Sequence, residues 1–106
     1  MLAAIIEYAL RPGADAEFGS ALNRMVERVQ GFDGYLGELP CRATADESHR
    51  VTISYWRDAD ALEAWRTDPE HRRIQEQGQS TWPAWYRIRV FEQLREYGVG
   101  QAPWDY

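Results

Sequence analysis

Trp65 and His71 stand six residues apart in the stretch from Tyr55 to Trp82, which also carries Trp56, Trp82 and several arginines. An imidazole is the one side chain that titrates near neutrality without help, so His71 is a candidate general acid or base. Indole rings beside it can form the walls of a site for a flat molecule. Farther on, Arg87 and Arg89 sit in an aromatic run from Trp85 to Phe91, and a guanidinium can steady a developing oxyanion. Tyr55 and Trp56 adjoin the helical stretch and complete the set of candidate contacts. The same crowding also suits a helical layer that uses tryptophan to fill a core.

Each candidate has such a structural alternative. Trp65 falls at helical spacing from Leu62 and serves equally as core filler. His71 follows a helix-start signal and can simply fix that start through a hydrogen bond. Arg87 and Arg89 can pair with Glu7 or Glu92 across the sheet. His49 begins a strand at a turn and reads as exposed. Two histidines far apart, with no paired carboxylate spacing, do not make a metal site. Cys41 is the only cysteine, which rules out an internal disulfide and leaves a small apolar strand residue.

The chain that must position these residues is one domain of 106 residues, with a tail after residue 98. A net charge of −5 argues against non-specific nucleic-acid binding. The first residues lack a basic start, and Glu7 interrupts their apolar run. They form neither a signal peptide nor a membrane span, so a cytoplasmic protein is expected.

Residues 2–10 read as a strand that is apolar on both faces, ended by Arg11-Pro12-Gly13. Phe18, Leu22, Met25, Val26 and Val29 recur at helical spacing over 14–30, and Gly31 is placed for a left-handed cap. Strands follow at about 34–43 and 49–57, and Gly34 and Gly37 mark a bulge or a close approach. Asp58 or Asp60 caps the next helix, and Thr67-Asp68-Pro69-Glu70 restarts it. After Pro83, residues 84–96 form a last strand with apolar or aromatic residues on both faces. Trp104 and Tyr106 suggest that the tail docks.

The order β-α-β-β-α-β predicts an α+β, ferredoxin-like domain with a four-stranded antiparallel sheet and its helices on one face. The other face would then be a bare apolar patch, for which a second copy is the simplest cover. A homodimer joined through the sheet face is expected.

This order resembles the antibiotic biosynthesis monooxygenase family of dimeric α+β barrels. So do Tyr55-Trp56-Arg57-Asp58, Ala61-Leu62-x-Ala64-Trp65-Arg66, Asp68-Pro69-Glu70-His71 and Phe32-Asp33-Gly34-Tyr35. The resemblance covers essentially the whole chain. It implies cofactor-independent oxidation of an aromatic, polyketide-like small molecule by molecular oxygen. In that version Trp65 and Trp56 line the cleft, with Tyr55 beside them. His71 takes a phenolic proton, and Arg87 or Arg89 holds the oxyanion. The asparagine that quinone-forming members use near the start of the second helix is absent, because Asp58, Asp60 and Ala61 occupy that region.

Related members bind and degrade heme with a helix tryptophan, a histidine about three turns later and an asparagine on the first strand. Here Gln75 stands ten residues after Trp65, Ile6 stands near the asparagine position, and the only asparagine, Asn23, lies on a polar helix face. Heme is thereby disfavoured, although His71 could ligate iron from a shifted helix. A third reading is a non-catalytic dimer of the same fold that binds a small molecule.

Overall fold

A computed structural model describes residues 1–106. Its elements are β1 (Leu2–Leu10), α1 (Asp15–Val29), β2 (Tyr35–Arg42), β3 (Arg50–Trp56), α2 (Ala59–Arg66), α3 (Pro69–Gly78) and β4 (Pro83–Glu92). The strands form one antiparallel sheet in the order β2-β3-β1-β4, the ferredoxin-like arrangement. No helix is long and apolar enough to cross a membrane.

Register decides which side chains share a face, because directly opposed residues point the same way. Ile6 of β1 lies opposite Thr52 of β3 and Ile88 of β4, and Ala4 lies opposite Ser54 and Val90. These rows face the helices. Ile5, opposite Ile53 and Arg89, and Ala3, opposite Tyr55 and Phe91, belong to the bare face. On β2 the pairing shifts between Tyr35 and Gly37, leaving Leu36 as an extra residue. Gly37 has φ 155°, which side chains rarely adopt. A Cβ there would also meet the Tyr106 hydroxyl at 2.7 Å, so the tail docks where glycine leaves room.

The core under the helices is small and built on tryptophan. Trp56 is only 1% exposed and packs with Val29 and Ala61, bordered by Leu2, Tyr35, Leu62 and Trp65. Its indole N–H donates to Ser54 Oγ at 3.0 Å, so burying the ring strands no donor.

One helix end selects between two expected caps, and another differs from expectation. Asp58, not Asp60, caps α2 by accepting from the Ala61 N–H at 2.9 Å. Helix α1 leaves through Gln30 in a right-handed conformation, and Gly31 has no positive φ. Gly34 holds the left-handed turn instead, at φ 87°. The last strand ends at Glu92, four residues earlier than its apolar pattern suggests, because Gln93 onward pairs with no neighbouring strand except through Gln93 N–H to Met1 O.

Candidate functional site

Between the helices and the sheet lies a cavity of about 360 Å3, within the range of small-molecule sites. Fourteen of its 22 lining residues are hydrophobic, so it suits a largely apolar ligand. β1 contributes Ile6, Tyr8 and Leu10, α1 contributes Phe18, Leu22 and Met25, and α3 contributes His71, Gln75 and Gly78. Trp56, Trp65 and Trp82 border it as well.

Asp68 places α3 and hence His71. Its carboxylate accepts the His71 backbone N–H at 2.9 Å and two hydrogen bonds from the Arg28 guanidinium, at 2.7 and 2.8 Å. One buried side chain thus caps α3 and ties it to α1. The Arg28 hydrogen bonds hold this carboxyl down at about 2 against the opposing cost of burial.

The imidazole of His71 is stacked on the Trp65 indole, with ring centroids 4.0 Å apart and planes 14° apart. Its Nδ1 lies 3.0 Å from the Trp65 carbonyl oxygen. A carbonyl only accepts, so Nδ1 carries the hydrogen and Nε2 keeps the lone pair. Burial pulls the imidazole pKa below its ordinary value, more than the Trp65 carbonyl and Asp68 raise it. His71 is therefore a neutral ring with a defined basic nitrogen at physiological pH.

Trp65 continues into an aromatic series, with Phe32 edge-on at 5.0 Å and Trp56 stacked at 6.5 Å. Tyr35 meets Trp56 edge-on at 5.3 Å. At the other end Phe18 lies between Tyr8 and Trp82, and the Trp82 N–H donates to Glu17. Gly78 exists for Trp82, since any Cβ there would run into the indole ring.

Of the residues singled out from sequence, Trp56, Trp65 and His71 meet at this cavity. Tyr55, Arg87 and Arg89 do not. Tyr55 follows the strand alternation to the bare face and packs against Tyr106, ring centroids 5.2 Å apart. Arg87 and Arg89 lie opposite Glu7 and Ile5, also on the bare face. Arg89 donates to Glu7 Oε2 at 2.6 Å, and Arg87 donates to its neighbour's carbonyl, Tyr86 O, at 2.7 Å. Neither guanidinium can reach an oxyanion held in this cavity by the same chain. His49 is half-buried rather than exposed, bonded to Glu7 at 3.0 Å and edge-on to Trp85.

Two polar residues escaped sequence reasoning. Tyr35 and Glu38 both line the cavity, three residues apart on a strand, because the extra Leu36 returns them to one face. Burial pushes the Tyr35 phenol up to about 12, helped by the charge of Glu38. Gly34 and Gly37 were the sequence signals for a bulge here, and the bulge falls beside Gly37. No group of three His, Cys, Asp or Glu side chains converges as a metal site would require.

Residues 1–77 match the family described as antibiotic biosynthesis monooxygenase. The chain is 32% identical over 87 residues to "Uncharacterized protein YqjZ" of Bacillus subtilis, covering 82% of this chain and 75% of that protein. It is 24% identical over 90 residues to "Jasmonate monooxygenase ABM" of Pyricularia oryzae, covering 85% of this chain but 42% of that longer protein. Among solved structures, SnoaB, a cofactor-independent oxygenase from Streptomyces nogalater, superposes with a TM-score of 0.74 at 18% identity, covering 90% of this chain and 94% of that one. Rv0793 from Mycobacterium tuberculosis gives a TM-score of 0.77 at 20% identity, covering 92% and 98%. These structures share the fold.

Proposed function

The chain belongs to the antibiotic biosynthesis monooxygenase family, and on that premise we propose that it is a cofactor-independent monooxygenase acting on a flat, electron-rich aromatic molecule. The observation that carries this reading is the His71–Trp65 pair, a stacked neutral imidazole bordering an apolar cavity. His71 Nε2 takes the proton of a phenol or enol, leaving an electron-rich anion on the ring system. Molecular oxygen adds to the activated ring carbon, and a proton completes a hydroperoxide. Loss of water then leaves a carbonyl. A CH2 group and O2 thus become C=O and H2O, and the substrate supplies every electron.

Trp65 and Trp56 have different parts in this scheme. Trp65 is half-buried and serves as a wall for the substrate, whereas Trp56 is consumed almost entirely by packing and supports that wall. The geometry suits heme less well. The two carboxylates of heme need cationic partners, and no arginine lines the cavity while Glu38 does.

The proposal includes a homodimer closed through the bare sheet face. Leu39, Trp85 and Phe91 stand 51%, 40% and 49% exposed there. The isolated chain exposes 7586 Å2, against about 6,100 Å2 for an ordinary folded monomer of its mass. The extended tail, where Leu94, Tyr97 and Val99 are almost fully exposed, supplies much of that excess, and the apolar side chains of the sheet face add to it. In a dimer, Arg87, Arg89 and Tyr55 would become interface residues. The function is tested by incubating metal-stripped protein with anthrone-type substrates under oxygen. Quinone should form well above the uncatalysed rate, and an unaccelerated rate across several such substrates overturns the reading.

A further inference from the structure

We infer that Glu38 sets the charge class of the ligand, so that the cavity takes an uncharged aromatic with an O–H donor and turns away aromatic carboxylates. The inference rests on the same cavity as the proposed oxidation but concerns binding alone.

Three observations combine. First, the Leu36 bulge puts Glu38 on the helix-facing side, opposite Ser54, where it lines the cavity. Regular alternation from Tyr35 would have sent it to the bare face. Second, Glu38 is half-buried and makes no hydrogen bond or ion pair, whereas Glu7, Asp33, Asp58, Glu63, Asp68 and Glu70 each hold a cation. The Ser54 hydroxyl, its register partner, already serves Trp56 and the Ala4 carbonyl. Third, the cavity lining contains no arginine, and the chain has no lysine.

A carboxylate in an apolar wall loses its water when a ligand covers it and then needs a hydrogen-bond donor, which a ligand O–H supplies. A ligand carboxylate offers only acceptors and a second negative charge, with no cation nearby to offset it. Burial already raises the Glu38 carboxyl above its ordinary value, the direction this environment demands. Tyr35 beside it stays protonated and can donate in turn to the ligand oxygen.

The test is equilibrium binding of 2-naphthol, 2-naphthoate and naphthalene, read by quenching of the tryptophan fluorescence. The three probes share a ring system and differ in donor and charge. Intact protein should bind naphthol about tenfold tighter than naphthoate, the scale of one charge-assisted hydrogen bond, and naphthalene in between. In Glu38→Gln, naphthoate should gain affinity and the gap should close to within about threefold. Naphthoate binding as tightly as naphthol to the intact protein overturns the inference whether or not the variant folds. A gap unchanged in a folded Glu38→Gln protein overturns it too, as does failure of all three probes to bind. Selective binding of these probes with no oxygen uptake on anthrone-type substrates sinks the oxidation reading and leaves this one standing. Turnover without selectivity does the reverse.

Discussion

The Trp65 residue holds His71 twice, through its indole face at 4.0 Å and through its backbone carbonyl at 3.0 Å from Nδ1. Ring plane and tautomer are therefore set by one residue. Truncating Trp65 to alanine removes the face and keeps the carbonyl. That exposes the imidazole and relieves the desolvation that lowers its pKa. The His71 titration, followed by NMR, should lie below 6.5 in the intact protein and move upward in Trp65→Ala. An unmoved midpoint would mean that the stack does not desolvate the ring.

The pH dependence of oxidation has a sign that follows from the same group. The reaction needs neutral His71, so the rate should rise with pH through a midpoint below the ordinary imidazole value of 6.5 and then level off. A rate that falls over that interval would give the proton-accepting role to another group.

Asp68→Asn removes the charge that Arg28 pairs with and weakens the cap of α3. The loss should be on the order of 1–2 kcal/mol near neutral pH, measured by urea unfolding. The Asp68 pKa is depressed in the folded state, from 3.8 to about 2. Its stabilisation is therefore present above 3.8 and fades as pH falls toward 2. The gap between the two proteins should be widest near neutrality and shrink in acid; a gap that grows in acid would refute the linkage.

Gly78→Ala places a methyl group where the Trp82 indole lies. The ring must move, at a cost of about 1–3 kcal/mol for overpacking. The Trp82 N–H should lose Glu17, and the cavity should open at that end. Thermal unfolding and a red-shifted tryptophan emission check this. Unchanged stability and emission would mean that the helix end yields freely.

Phe91→Arg adds a charge to the bare sheet face near the end of the edge strand β4, on the side away from the cavity. Sedimentation should show a dimer for the parent protein at micromolar concentration and a monomer for the variant. A monomeric parent would contradict the sheet-to-sheet arrangement.

The element order was legible because hydrophobic period, Pro69 and the glycine turns all point the same way along the chain. Side-chain placement was less so. Tyr55 and Trp56 are neighbours on β3 and must face opposite sides, so the two could not share a cavity. Alternation groups Arg87 with Arg89, Trp85 and Phe91, yet it does not say which group meets the helices. β1 is apolar on both faces, and only its pairing with β4 decides. Glu38 was hidden by the bulge, since a single inserted residue reverses the face of everything after it. Asp58 and Asp60 both read as caps in sequence, and the choice depends on where the β3 backbone hands over to α2.

Oxygen uptake by metal-stripped protein with an anthrone-type substrate tests the central claim most directly. One O2 should be consumed for each quinone formed, and folded His71→Gln should be slower by about 100-fold, the lower end of what a positioned base contributes. Uptake no faster than with substrate alone, or equal in the two proteins, would contradict the assignment of His71 as the base of a cofactor-independent oxidation.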